Sequence, residues 1–149
     1  VFDKWFEELA VGDARSFAGV TVTEAHVVGF AGVTGDNYPL HMDAEFAAST
    51  PFGQRVAHGL LVLSLGAGLI PMTPGIVAAL LGMEEVRFVA PVFIGDTVHP
   101  EMEVLEATAR GDGPGRVRIA ERIVNQRDET VVTAVIDVLV NRRGAGDGG

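Results

Sequence analysis

From residue 97 onward, apolar and polar positions alternate along the chain. Over 97–105, Val98, Met102 and Val104 share one face, and His99, Glu101 and Glu103 share the other. Over 116–124, Val117, Ile119 and Ile123 alternate with Arg116, Arg118 and Arg122. A period of two is the mark of a strand with one face buried. Residues 130–140 are β-branched on both faces, as suits a central strand. "RGDGPG" (110–115) and "RDET" (127–130) supply the turns between them. Residues 86–90, and 14–20 after a Gly12-Asp13 turn, bring the expected total to about five strands.

The front of the chain follows a different period. Thr23 is a candidate N-cap, and Val27, Phe30, Ala31 and Thr34 recur at helical spacing, so a helix is expected over 24–33. "DAEFAAS" (43–49) predicts one to two helical turns with an acid at the positive end of the dipole. "TPFGQR" (50–55) is loop by its proline and glycine. A helix over 59–70 is apolar all round, which predicts burial on every side, and "PMTP" closes it. A buried helix followed by antiparallel strands is an α+β arrangement, and a sheet wrapped around that helix would cover most of it.

Composition narrows the functions available. The 149 residues are 48% hydrophobic and 21% charged, which fits one domain, assigned to 1–143, with a full core. The Gly-rich tail 144–149 is expected to be disordered. Twenty acids against 11 bases give a formal charge of −9, which argues against nucleic acid as a partner. There is no cysteine, so disulfides, thiolate metal sites and cysteine nucleophiles are absent. No apolar run reaches the roughly 18 residues of a membrane span, and no signal pattern opens the chain, so no membrane partner and a cytoplasmic location are expected. The chain opens on Val1, which implies a missing initiator methionine or a removed leader.

Two stretches could carry chemistry. In "VTGDNYPLHMD" (33–43), Asp36 and His41 stand five apart with Pro39 between them. A helix turns about 100° per residue and would separate them by about 140°. Proline and the residue before it also disfavour helix, so a non-helical loop is expected to aim both at one point. An imidazole beside a carboxylate can move protons near neutral pH. Gly-Asp occurs five times in this chain, however, and by itself reads as a plain turn. In "VAHGLL" (56–61), Gly59 stands where the apolar helix begins. Its N–H would lack an intrahelical acceptor and point at a ligand oxygen, an oxyanion site. The competing reading is that Gly59 only permits tight packing and that His58 only caps or fills.

"TGDNYPLHMDAEFA", followed by "FGQRVAHGLL" and "EEVRFVAPVFIGDTV", resembles the MaoC-like dehydratases, which include R-specific enoyl-CoA hydratases. The resemblance spans about residues 26–98. It implies a hot-dog fold, an antiparallel sheet around one long helix, and a homodimer with a substrate tunnel at the interface. It implies that Asp36 and His41 hold a catalytic water, that the Gly59 N–H binds a thioester carbonyl, and that the reaction is reversible hydration of a trans-2-enoyl-CoA to an (R)-3-hydroxyacyl thioester. Coenzyme A then enters as part of the substrate, and no cofactor is implied. One departure stands out: the family's asparagine directly before proline is Tyr38 here, and Asn37 sits one place earlier. Asn37 is expected to support the loop and Tyr38 to line the pocket.

Other candidates weigh less. Arg55 and Arg87 could meet coenzyme A phosphates or be solvated arginines. Arg116, Arg118 and Arg122 read as one solvated face. No His-x-x-x-His spacing occurs, and His41 with Asp43 is too little for zinc, so no metal site is expected. Ser64 is expected to bond back to its own helix. Met42, Phe46, Phe52 and Met83 are core or pocket wall, and His58 orients the loop before Gly59. Two rival functions remain: an acyl-CoA thioesterase of the same fold, disfavoured because 59–70 contains no acid, and a non-catalytic partner subunit.

Overall fold

The three strand segments expected after residue 97 pair side by side in a computed structural model that describes residues 2–144. They are β4 (Thr97–Thr108), β5 (Gly115–Asn125) and β6 (Thr130–Val140). All pairings are antiparallel, with Met102 opposite Glu121 and Glu121 opposite Ala134. The turn into β6 holds Asp128 at φ 58°, a left-handed position that aspartate tolerates.

Two strands differ from expectation. The 14–20 segment divides into β1 (Ala14–Ser16) and β2 (Val20–Thr21), both on the edge of β4. Gly19 lies at the division, where a Cβ would stand 3.1 Å from the Val98 carbonyl oxygen. The sheet therefore has six strands, in the order β1-β4-β5-β6-β3, with β2 also on β4. The strand expected over 86–90 is the end of a longer one, β3 (Val77–Phe88), on the far edge. Three register shifts against β6 interrupt it, which is why its first residues show no period of two.

The first helix is α1 (Glu24–Thr34), capped by Thr23, whose hydroxyl accepts the His26 N–H while His26 Nδ1 accepts the Thr23 N–H. Two short helices follow, α2 (Pro39–Met42) and α3 (Ala44–Ala48). Asp43 caps α3 by accepting the Phe46 N–H at 3.0 Å. The apolar helix is α4 (Gly59–Leu69), and its Leu61, Val62 and Gly66 are buried.

Burial of α4 is one-sided, contrary to the expectation from its composition. Leu60 is 60% exposed, and Ser64, Ala67 and Gly68 are open as well. The sheet covers one face of the helix, and none of the described residues covers the other. The Ser64 hydroxyl donates to the Leu60 carbonyl at 2.7 Å, as expected. The three strand arginines lie on the outer sheet face, but each is held by acids. Arg116 pairs with Asp137 at 2.5 Å, Arg118 with Glu84 and Glu106 at 2.7 and 2.8 Å, and Arg122 with Glu101 at 2.6 Å. Among the described residues, no helix is long and apolar enough to cross a membrane. The expected disordered tail lies outside the described residues except for Gly144.

Candidate active site

The site begins where α1 ends. Gly35 at φ 78° takes the left-handed position that closes the helix and turns the chain. Asp36 follows, its N–H donating to the Thr34 hydroxyl at 3.2 Å and its Oδ1 accepting the Tyr38 N–H at 3.3 Å. This short turn hands the chain to Pro39, the first residue of α2. The expected non-helical loop therefore covers only residues 35–38, and His41 rides on a helix. Proline at the first helical position loses no hydrogen bond, since its N–H would have none to make. Asp36 and His41 meet because a turn and a helix start separate them.

A second segment completes the arrangement. Val56 N–H donates to the Leu40 carbonyl at 3.2 Å, and Ala57 N–H to the Val92 carbonyl at 2.8 Å. His41 Nδ1 lies 2.6 Å from the Val56 carbonyl oxygen. A carbonyl only accepts, so Nδ1 carries the proton and, in the neutral ring, Nε2 offers a lone pair. His58 Nε2 lies 3.0 Å from the Asp36 carbonyl oxygen and likewise donates. The two imidazoles stack with centroids 4.0 Å apart and planes 30° apart, and the Phe30 ring stands 5.0 Å from His58.

These groups face a cavity of about 480 Å³ lined by Asp36, His41, His58, Gly59, Phe88 and Val132, among others. Gly59 is the first residue of α4, so its N–H has no acceptor within the helix. A Cβ at Gly59 would fall 2.8 Å from the Phe88 ring. A side chain there would displace the exposed Phe88 ring, and Gly59 itself lines the cavity.

The remaining candidates lie around this centre. Asn37 Nδ2 donates to the Gly35 carbonyl at 3.2 Å, bracing the turn. Tyr38 is exposed, with its ring edge-on to His41 and Phe46 at 6.1 and 6.2 Å. Arg55 pairs with Glu24 of α1, and Arg87 is exposed on β3 without an ion pair among the described residues. Phe52 is on the cavity wall, while Met42 and Met83 pack against the core. His99 stands 3.6 Å from Glu101, away from the cavity. Sequence spacing pointed to no metal site, yet ligand-type atoms of Asp36, His41 and His58 lie within 4.8 Å of one another. His58 comes from a separate segment, so no spacing rule could have grouped it with the other two.

Comparison with known proteins places this arrangement. The model of the MaoC-like domain family matches residues 7–126. Protein MaoC of Klebsiella aerogenes is 40% identical over 73% of this chain, and this chain spans 33% of that protein's length. The (R)-specific enoyl-CoA hydratase of Aeromonas caviae is 38% identical over 73% of this chain and 79% of that protein. Among solved structures, a monoamine oxidase regulatory protein from Archaeoglobus superposes with a TM-score of 0.87 at 37% identity, covering 93% of this chain and 95% of that one. A conserved Mycobacterium tuberculosis protein described as a double hot-dog fold matches with a TM-score of 0.82 at 22% identity, covering 98% of this chain and 46% of that one. Sheet, central helix and these matches agree: the chain is a hot-dog fold and belongs to the MaoC-like family.

Proposed function

We propose that this protein adds water reversibly to a trans-2-enoyl-CoA, giving an (R)-3-hydroxyacyl-CoA. The observation that carries the reading is that Asp36, His41 and Gly59 all border one cavity, although they come from two segments. Relatives named enoyl-CoA hydratase and 3-hydroxybutyryl-CoA dehydratase support the substrate class. Water sits between Asp36 and His41. His41 Nε2 takes its proton as the oxygen attacks C3. Negative charge moves to the thioester oxygen, where the Gly59 N–H meets it. His41 passes that proton to the Asp36 carboxylate, and Asp36 delivers it to C2, so the pair ends as it began. Dehydration runs the same steps backward. No electrons are gained or lost overall, and the proposal calls for no cofactor.

The open face of α4 and the exposed Leu80 and Leu81 of β3 support a homodimer that covers both. Arg87, exposed on the same strand, is a candidate contact for coenzyme A phosphates. Arg55 would have to leave Glu24 to serve that role. A cytoplasmic location belongs to the same proposal. Turnover of crotonyl-CoA, followed through loss of the conjugated thioester absorbance, tests the activity. Hydration without thiol release is expected. Thiol release instead would establish a thioesterase, and no turnover of short, branched or dicarboxylic enoyl-CoAs would leave the partner-subunit reading.

A further inference from the structure

Asp36 and His41 lie on one segment and Gly59 on another, so their common geometry needs a link between the two. His58 is in contact with every part. Its Nε2–H reaches the Asp36 carbonyl at 3.0 Å, its ring stacks on His41 at 4.0 Å, and its backbone leads directly into Gly59. The residue is 2% exposed.

Simpler roles do not account for this side chain. His58 stands at the N-cap of α4, yet its side chain makes no capping hydrogen bond. As a filler it is a poor choice, because Nδ1 is buried without a partner among the described residues. A leucine would fill the same space and leave no unmet ring nitrogen. What histidine alone supplies here is a flat face for His41 together with a donor for the Asp36 carbonyl. Phenylalanine offers only the face, and glutamine only the donor.

We infer that His58 is a positioning residue that ties the Asp36–His41 pair to the Gly59 oxyanion donor. Its effect is on the reacting geometry rather than on substrate affinity. The water, the alkene carbon and the thioester oxygen must line up at once, and a displacement on the order of 1 Å can cost roughly 10²-fold in rate. The inference rests on the hydratase reading above.

The test compares wild type with His58→Phe, His58→Gln and His58→Leu on crotonyl-CoA, with thermal melting to confirm folding. His58→Phe should lower kcat roughly 10²-fold with KM changed by less than about threefold. His58→Gln, which keeps the donor, should recover part of that loss, and His58→Leu should fall lowest. In NMR spectra the His41 ring protons should shift in His58→Leu and His58→Gln, which lose the stacked ring, and less in His58→Phe. Two results overturn the inference: folded His58→Phe and His58→Leu proteins with wild-type kcat, or a fall that appears only in KM. Wild-type protein inactive on every enoyl-CoA overturns the hydratase reading instead and takes this inference with it, while the His41 shifts still report whether His58 holds that ring.

Discussion

Acids and imidazoles stand at two levels of α4, and their surroundings differ: Asp36 is exposed, His41 half-buried and His58 buried at the first, while Glu121 is buried at the second. At the start of the helix, Asp36, His41 and His58 are bound to backbone groups and to one another, and they open onto a cavity. One to two turns further on, Glu121 lies opposite Met102 and Ala134 in the sheet, with one carboxylate oxygen 3.4 Å from where a Cβ on Gly66 would be. Glu121 is 1% exposed, and neither of its oxygens has a partner among the described residues. Along β5 it falls between Ile119 of one apolar cluster, which also holds Ile70, and Ile123 of the other, which also holds Val62. Burial pushes its carboxyl up to about 7. Access to a cavity makes polar groups a site, while burial without partners makes an acid a stability cost.

The largest expected effect belongs to the first level. Asp36→Asn or His41→Ala should lower turnover by roughly 10²–10⁴-fold while thermal melting stays near wild type. A variant that melts far lower would mean the pair holds the fold together and would blur the contrast.

The second level should respond in the opposite way. Glu121→Met should leave crotonyl-CoA turnover intact and raise stability, most at alkaline pH. Below about pH 4.5 the acid is neutral both folded and unfolded, so it imposes no cost. Between there and about pH 7 the unfolded chain ionises first, and the folded state loses ground with each pH unit. The full cost is about 3 kcal/mol, at 1.36 kcal/mol per unit, and it is constant above that range. Asp137 and Glu101, held low by Arg116 and Arg122, act with the opposite sign. Their stabilising effect is lost as pH falls, and it cancels between wild type and variant. Melting of both proteins from pH 4 to 8 measures the difference, and parallel curves would show that Glu121 has a partner after all.

Gly66→Ala sharpens the comparison at the same level. Its Cβ would meet Ile123 Cδ1 at 2.5 Å, so a loss of about 1–3 kcal/mol is expected in denaturant titration. Least affected should be Arg122→Gln on the outer face, whose pair with Glu101 is solvent-screened; its melting should match wild type.

The strands were legible in the sequence where one face is buried and the other wet, as in β4 and β5. The first residues of β3 were not, because register shifts break their alternation and Leu80 and Leu81 stand exposed. The apolar character of α4 was visible, but not that one of its faces stays open, since no single-chain pattern says what lies beyond it. Within the site, spacing placed Asp36 and His41 no higher than a turn, and only the longer resemblance singled them out. The short helix under His41 was hidden because Pro39 was read as a breaker, when at a first helical position it is a starter. The sequence marks His58 only as orienting the loop before Gly59; its link to Asp36 runs through a backbone carbonyl 22 positions away, and carbonyls carry no sequence signature.

In the proposed hydration, the three groups bordering the cavity direct water to C3 of an enoyl thioester. Turnover of crotonyl-CoA in oxygen-18 water, with mass analysis of the products, tests it most directly. Label is expected in the 3-hydroxyl group of an intact CoA thioester, and it should be lost in Asp36→Asn. Label confined to the carboxyl of a released acid would contradict the proposed hydration.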